Sequence, residues 1–338
     1  MRWLISILAL SAALVRADDT LDRLTISIAL PSSPARLVEV TATAKVTNES
    51  ATDVSKYIFR ITTPPGDLPY QRSRVVVSPS GATSKSHKNK LDQYLEMNVA
   101  VPAKQTVNAV VQIQVLLLPV NFLKLPKLPV EEVSQDSVRL FEQPSTLVES
   151  DAAEIKQVAT TLFARKTSAL EKAKAAYEYP ASKLKYREQK AAGALKALQT
   201  GSGDCTEFAC LFAALSRAGG LPARRVAVFN LGTKTSLTTD EPNHESAEVF
   251  LATHGWIPVD PNLGGGRYDR SVGFAKTAAA QVMLRREGAW VWSTLLPADG
   301  FASDKPKPSV KTSVSWQCKV LQEGPPVKLL ASFNKSEP

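Results

Sequence analysis

An α+β fold with an all-β region in front of it is what the order of hydrophobic patterns predicts. From Leu21 to about Leu123, short apolar/polar alternations are separated by Pro-, Gly-, Asn- and Ser-rich turns. Between Ser150 and Ala218 the apolar period lengthens to that of helices, and beyond Gly219-Gly220 strand-like runs return. Helices followed by antiparallel strands, without βαβ alternation, make an α+β domain.

The elements follow in order. Arg2 precedes an apolar run from Trp3 to Val15, and Val15-Arg16-Ala17 has the compact residues that a signal peptidase reads. That run is too short to span a bilayer, so residues 1–17 are expected to be a cleaved leader, giving a secreted or periplasmic chain with no later membrane segment. Leu24–Ile28, Val38–Val46, Tyr57–Ile61, Tyr94–Val99 and Val107–Val115 then read as strands of a β-sandwich over 18–124. A linker around Leu125-Pro126-Lys127-Leu128-Pro129 occupies 125–147. The α+β domain is expected over 148–297. In it, Ser150-Asp151 reads as the cap of a helix bearing Ile155, Val158, Leu162 and Phe163, and Ser168 with Glu171 forms a capping box for the next. Residues 298–338 form an extension in which Val314–Val320 reads as one strand before a loose end. A length of 338 residues is ample for two cores.

Within the α+β region, Gly203-Asp204-Cys205-Thr206-Glu207-Phe208 puts a cysteine at a helix entrance. Phe208, Leu211, Phe212 and Leu215 recur at helical spacing, and Gly219-Gly220 with Pro222 ends the helix. Cys205 therefore meets the unpaired N–H groups and positive dipole end that favour a reactive thiolate. Downstream, His244 opens one strand and Asp260 closes a second, with a turn at His254-Gly255 between them. In an antiparallel hairpin both then lie at the same open end, where Cys205, His244 and Asp260 can meet. An imidazole that takes the thiol proton and a carboxylate that orients the ring are what nucleophilic catalysis needs.

Three blocks carry a resemblance: Gly-Asp-Cys-Thr-Glu-Phe at 203–208, His-Glu-Ser-Ala-Glu-Val-Phe at 244–250 and Gly-Trp-Ile-Pro-Val-Asp-Pro at 255–261. In this order and spacing the chain resembles the transglutaminase-like superfamily of papain-related cysteine enzymes, from about Val148 to Gly266. The resemblance implies a papain/transglutaminase-like catalytic core and, by analogy with multidomain relatives, an immunoglobulin-like accessory sandwich. It implies Cys205 as nucleophile, His244 as general base and acid, and Asp260 as orienting carboxylate. The expected activity is acyl transfer on amide bonds of a protein or peptide, by a peptidase or amidase rather than a cross-linking transglutaminase. The alternative is a non-catalytic scaffold of the same fold that docks on envelope components. Ser246 departs from the aromatic residue that members often carry there, and Glu248 matches a glutamate whose role is structural or chemical. For the oxyanion, the Cys205 N–H is one candidate donor, and Gln199, Tyr179 and Tyr186 are candidates for the second.

Other chemistries have less support. His-Glu-Ser-Ala-Glu lacks the second histidine of a zinc protease motif, and no cysteine or histidine pair has metal-ligand spacing, so neither a metal nor a cofactor is expected. Cys210 lies about 140° around the helix from Cys205, so those two cannot readily bridge, and pairing of Cys210 with Cys318 stays open. His87 and His254 read as solvated loop residues. The chain carries 41 Lys and Arg against 32 Asp and Glu, a formal charge of +9 that falls by Arg2 and Arg16 once the leader is removed. That excess suits anionic envelope components; without interleaved aromatics or a recognisable motif it does not indicate nucleic acid.

Overall fold

The computed structural model describes residues 20–86, 93–124, 138–262, 273–287, 295–298 and 309–335. The leader expected at 1–17 and the Pro-rich start of the linker lie outside them.

Alternating residues become long strands. β1 (Ala35–Asn48) buries every second side chain over most of its length, from Val38 to Val46. It pairs antiparallel with β6 (Thr106–Leu117), and β6 pairs with β3 (Gln71–Val77). On its other side β1 pairs along its whole length with β15 (Val310–Gly324), which carries β10 (Ser236–Thr239) at the edge. The order β10-β15-β1-β6-β3 therefore brings together the two ends of the sequence and a hairpin arm from its middle. A second sheet is ordered β14 (Leu295–Ala298), β2 (Val54–Thr63), β5 (Gln93–Val101) and β4 (Thr83–Ser86). Val40, Val111, Ile113 and Trp316 from the first sheet meet Ile61, Leu95 and Met97 from the second in one apolar core.

Three local expectations are corrected. Leu24–Ile28 belongs to a helix, α1, spanning 20–28. Thr25 and Ile28 are buried while Ile26 is exposed, a spacing of three to four that matches a helix and overrides the apparent alternation of Leu24, Ile26 and Ile28. Thr25 Oγ1 donates to the Leu21 carbonyl one turn earlier and so satisfies itself within that helix. The helix after the linker, α2 (Ala153–Phe163), has Ala152 at its N-cap with no side-chain cap, because Ser150 is buried in the preceding turn. The loose end after Val320 is instead a helix, joined to β15 and described below.

The capping box of Ser168 and Glu171 opens α3 (Ala169–Lys183) as expected. A short parallel pair, β7 (Lys185–Tyr186) with β8 (Ser202–Gly203), brackets α4 (Ala194–Thr200). The helix α5 (Cys205–Ala218) follows, and it is buried at every residue from Glu207 to Arg217 because α2, α3 and α4 surround it on one side and a sheet covers the other. That sheet has the order β12 (Gly255–Val259), β11 (His244–Leu251), β9 (Ala223–Asn230) and β13 (Gln281–Arg286), all antiparallel. Every residue of β9 and β11 is buried. Val226, Val228 and Val249 belong to the core shared with the helices, whereas Phe229, Val282 and Leu284 belong to the sandwich core. The sheet is thus clamped between the helix layer and the β-sandwich. The last described element is α6 (Pro326–Lys335), which packs Leu329 and Leu330 beside β1, β6 and β15. Among the described residues, no helix is long and apolar enough to cross a membrane.

Candidate active site

Local sequence fixes Cys205 at the head of the most enclosed helix. Asp204, at the N-cap, accepts the Thr206 amide at 2.8 Å, and Glu207 Oε2 accepts the Asp204 amide at 3.1 Å, closing a capping box. The other Glu207 oxygen accepts the Ala192 amide at 2.8 Å, which ties the helix start to the loop before α4. Gly203 has to be glycine, since a Cβ there would lie 2.3 Å from the Glu207 Cβ. Cys205 is half-buried and is the first residue of α5, so its thiol meets the open end of the helix.

The hairpin does what its sequence predicts. β11 and β12 pair from Leu251↔Gly255 to Ala247↔Val259, so His244 and Asp260 emerge together at the open end. His244 Nε2 lies 2.9 Å from Asp260 Oδ2, and the Cys205 side chain lines the same cavity, near enough to the imidazole to favour its charged form. With Nε2 engaged by the carboxylate, Nδ1 is the ring nitrogen left for the sulfur. The three predicted residues are therefore brought together, with the imidazole near the thiol and bonded to the carboxylate.

Burial alone would push the His244 imidazole down, but the Asp260 carboxylate, its hydrogen bond and the nearby Cys205 outweigh it and hold the imidazolium well above the ordinary histidine range. Burial would likewise raise Asp260. The His244 charge, with hydrogen bonds from His244, Gln281 and the Asn262 amide, holds that carboxyl below its usual value.

Beside Cys205 and His244 opens a cavity of about 660 Å³, lined also by Thr206, Arg225, Glu245 and Glu287. Its floor is a buried ionic chain. Arg225 Nη1 donates to Glu245 at 2.8 Å and the Arg225 amide donates to Glu287 at 2.9 Å; Glu287 also accepts from Arg217, in the last turn of α5, at 2.9 Å. Burial pushes Glu245 up to about 7 in spite of Arg225 beside it. None of Gln199, Tyr179 and Tyr186 lines the cavity: Gln199 and Tyr186 are exposed, and Tyr179 lies under the Lys183 ammonium on α3.

Glu248, left between two roles by the sequence, sits among structural partners. It accepts from Tyr70 Oη at 3.0 Å and from Arg224 Nε at 2.7 Å, and Arg224 lies 3.8 Å over the Trp256 ring. Tyr70 precedes β3, so this contact joins the hairpin to the sandwich. Among the described residues no group of three or more His, Cys, Asp and Glu is placed to hold a metal. All three cysteines are free thiols, with Cys210 in the helix-side core and Cys318 in the sandwich core. Two groups escaped the sequence reading: Gln281, whose side chain reaches Asp260, and the Arg225–Glu287–Arg217 chain. Each depends on pairings between distant strands that no local pattern encodes.

Residues 156–261 match the profile of the transglutaminase-like superfamily. A candidate cysteine protease of Cytophaga hutchinsonii shares the fold with a TM-score of 0.55 at 15% identity, over 85% of this chain and 91% of that one. The periplasmic domain of TgpA from Pseudomonas aeruginosa aligns over 73% of this chain and 94% of that one, at 13% identity and a TM-score of 0.34. An uncharacterized protein of Haemophilus influenzae is 33% identical over a segment that covers 19% of this chain and 23% of that protein. The chain thus spans under a quarter of the length of the curated relative it matches. The cysteine helix and the histidine hairpin both lie inside the segment that matches the transglutaminase-like superfamily.

Proposed function

We propose that this protein is an exported thiol enzyme that cleaves amide bonds in proteins or peptides through Cys205, His244 and Asp260. One observation carries the reading: the His244 ring stands between the Cys205 side chain and the Asp260 carboxylate, at the mouth of a cavity. Cys205 Sγ attacks the amide carbonyl carbon, a C–S bond forms, and the proton taken by His244 passes to the leaving nitrogen as the C–N bond breaks. A water then gives its proton to His244 and attacks the thioester, which releases the acid and restores the thiol. Asp260 holds the ring and stabilises its positive charge throughout. The Cys205 amide at the head of α5 supports it as one oxyanion donor.

Hydrolysis is favoured over transfer to a second amine because the three sequence blocks resemble the bacterial-type core, and a protein of the same fold is described as a candidate cysteine protease. Export is supported by the leader-like run from Trp3 to Val15. The test is release of new N-termini from an unfolded protein or peptide library. Wild-type protein should release them, and Cys205→Ala should not. Equal release by both would overturn the reading, as would formation of amine cross-links in place of cleavage.

A further inference from the structure

The amide and both carboxylate oxygens of Asp260 are held by hydrogen bonds. Its amide donates to the Gly273 carbonyl at 2.8 Å, and Oδ1 accepts the Asn262 amide at 3.3 Å. Oδ2 accepts twice: from His244 Nε2 at 2.9 Å and from Gln281 Nε2 at 2.8 Å. An ionised carboxylate only accepts, so the nitrogen end of the Gln281 amide must face it. Gln281 arrives from a different strand, as the first residue of β13.

The backbone that delivers it is strained. After Phe274 bridges to Val259 of β12, the chain turns through Ala275 and Ala279, whose φ angles of 56° and 52° lie in the left-handed region that an alanine seldom adopts. Such strain persists only where the surroundings hold it, and it gathers at functional sites. Here it lies two residues before the side chain that touches Asp260.

We propose that Gln281 is a positioning residue of the Cys205–His244–Asp260 unit, its amide fixing Asp260 Oδ2 so that the imidazole turns its other nitrogen to Cys205. The inference rests on the acyl-transfer reading of that unit. A neutral donor suits this place. It fills the second acceptor direction of Oδ2 without cancelling the charge on which the imidazolium depends, as a lysine or arginine would. The groups that face Asp260 are His244 from β11, Gln281 from β13 and the Asn262 amide, with Cys205 beyond the ring.

The experiment is the pH dependence of Cys205 alkylation by iodoacetamide on the full chain, read by peptide mass spectrometry. Wild type is compared with Gln281→Leu, Gln281→Glu and His244→Ala. Loss of one hydrogen bond to the carboxylate should move the acid limb of Gln281→Leu up by about one pH unit. Gln281→Glu is nearly isosteric and donates while protonated, so it should follow wild type in acid. As its carboxyl ionises against Asp260, it should diverge towards Gln281→Leu. A merely structural role would lower the rate at all pH values alike and leave the midpoints in place. An acid-limb midpoint of Gln281→Leu equal to wild type, beside a displaced His244→Ala profile, would overturn the role of Gln281 alone. A His244→Ala profile that superimposes on wild type would overturn the triad reading and this inference with it. If Gln281→Leu does not fold, Gln281→Glu decides: a profile that leaves wild type only above the acid limb supports the role of Gln281, and one that keeps to wild type at every pH overturns it.

Discussion

The three thiols of this chain differ by their surroundings. Burial pushes Cys210 well above the ordinary thiol range and Cys318 up to about 12, and both are fully enclosed. Cys205 is half-buried at a helix end beside an imidazole. Iodoacetamide at neutral pH should therefore label Cys205 while Cys210 and Cys318 stay unmodified until the protein unfolds; equal labelling in folded protein would contradict this. His244→Ala should lower amide turnover by about 10²- to 10⁴-fold, the usual worth of a general base. Asp260→Asn should fold normally and also lose most turnover, since an asparagine can hold the ring but cannot stabilise its charge; stopped-assay kcat values check both. Cysteine, histidine and aspartate were legible because few residue types do this chemistry and their order is distinctive. Gln281 was not, since a glutamine at a strand start has no local mark and meets Asp260 only because β13 pairs with β9 in the sheet that also holds the hairpin.

At the scale of elements, α5 was readable almost to the residue. Its entrance at Cys205, its apolar repeat and its glycine stop are all local signals, and the structure uses each one. Asp204→Ala should remove the cap and cost about 1 kcal/mol of stability, seen as a lower denaturant midpoint. Gly219→Ala should cost about 1–3 kcal/mol, because a Cβ there would lie 2.2 Å from the Phe163 ring, which closes the helix end from α2. A midpoint unchanged by the second substitution would show that Phe163 does not press on that turn. The helix at 20–28 misled the sequence reading: in a run as short as Leu24–Ile28, apolar residues two apart fit a strand, and only burial on the far side of the chain decides otherwise.

Over the whole molecule, the sheet of β12, β11, β9 and β13 is bound to the sandwich through Phe229, whose ring lies 5.2 Å from that of Trp316. Trp316 belongs to β15, an inner strand contributed by the far end of the sequence. Its partnership with β1 could not be read from the chain, because a strand's neighbours depend on long-range register. Trp316→Ala should cost about 3–5 kcal/mol in denaturant unfolding, far more than removal of a side chain from a loose tail. Two buried groups also set the pH dependence of stability. Glu245 titrates at about 7 when folded against 4.5 ordinarily, so the folded state binds the extra proton and stability falls as pH rises between those values. His244, raised well above its ordinary 6.5, contributes stability below that value that is lost as pH climbs through its folded range. Melting temperature should decline from pH 5 to pH 8, and Glu245→Gln should flatten the part below pH 7. The central claim is that His244 is held as an imidazolium between Cys205 and Asp260, and a chain with three histidines allows it to be read directly by an NMR titration of the imidazole signals. One resonance should titrate well above 6.5 and move down in both Asp260→Asn and Cys205→Ala; three resonances near or below the ordinary histidine value, unchanged by those substitutions, would contradict the account.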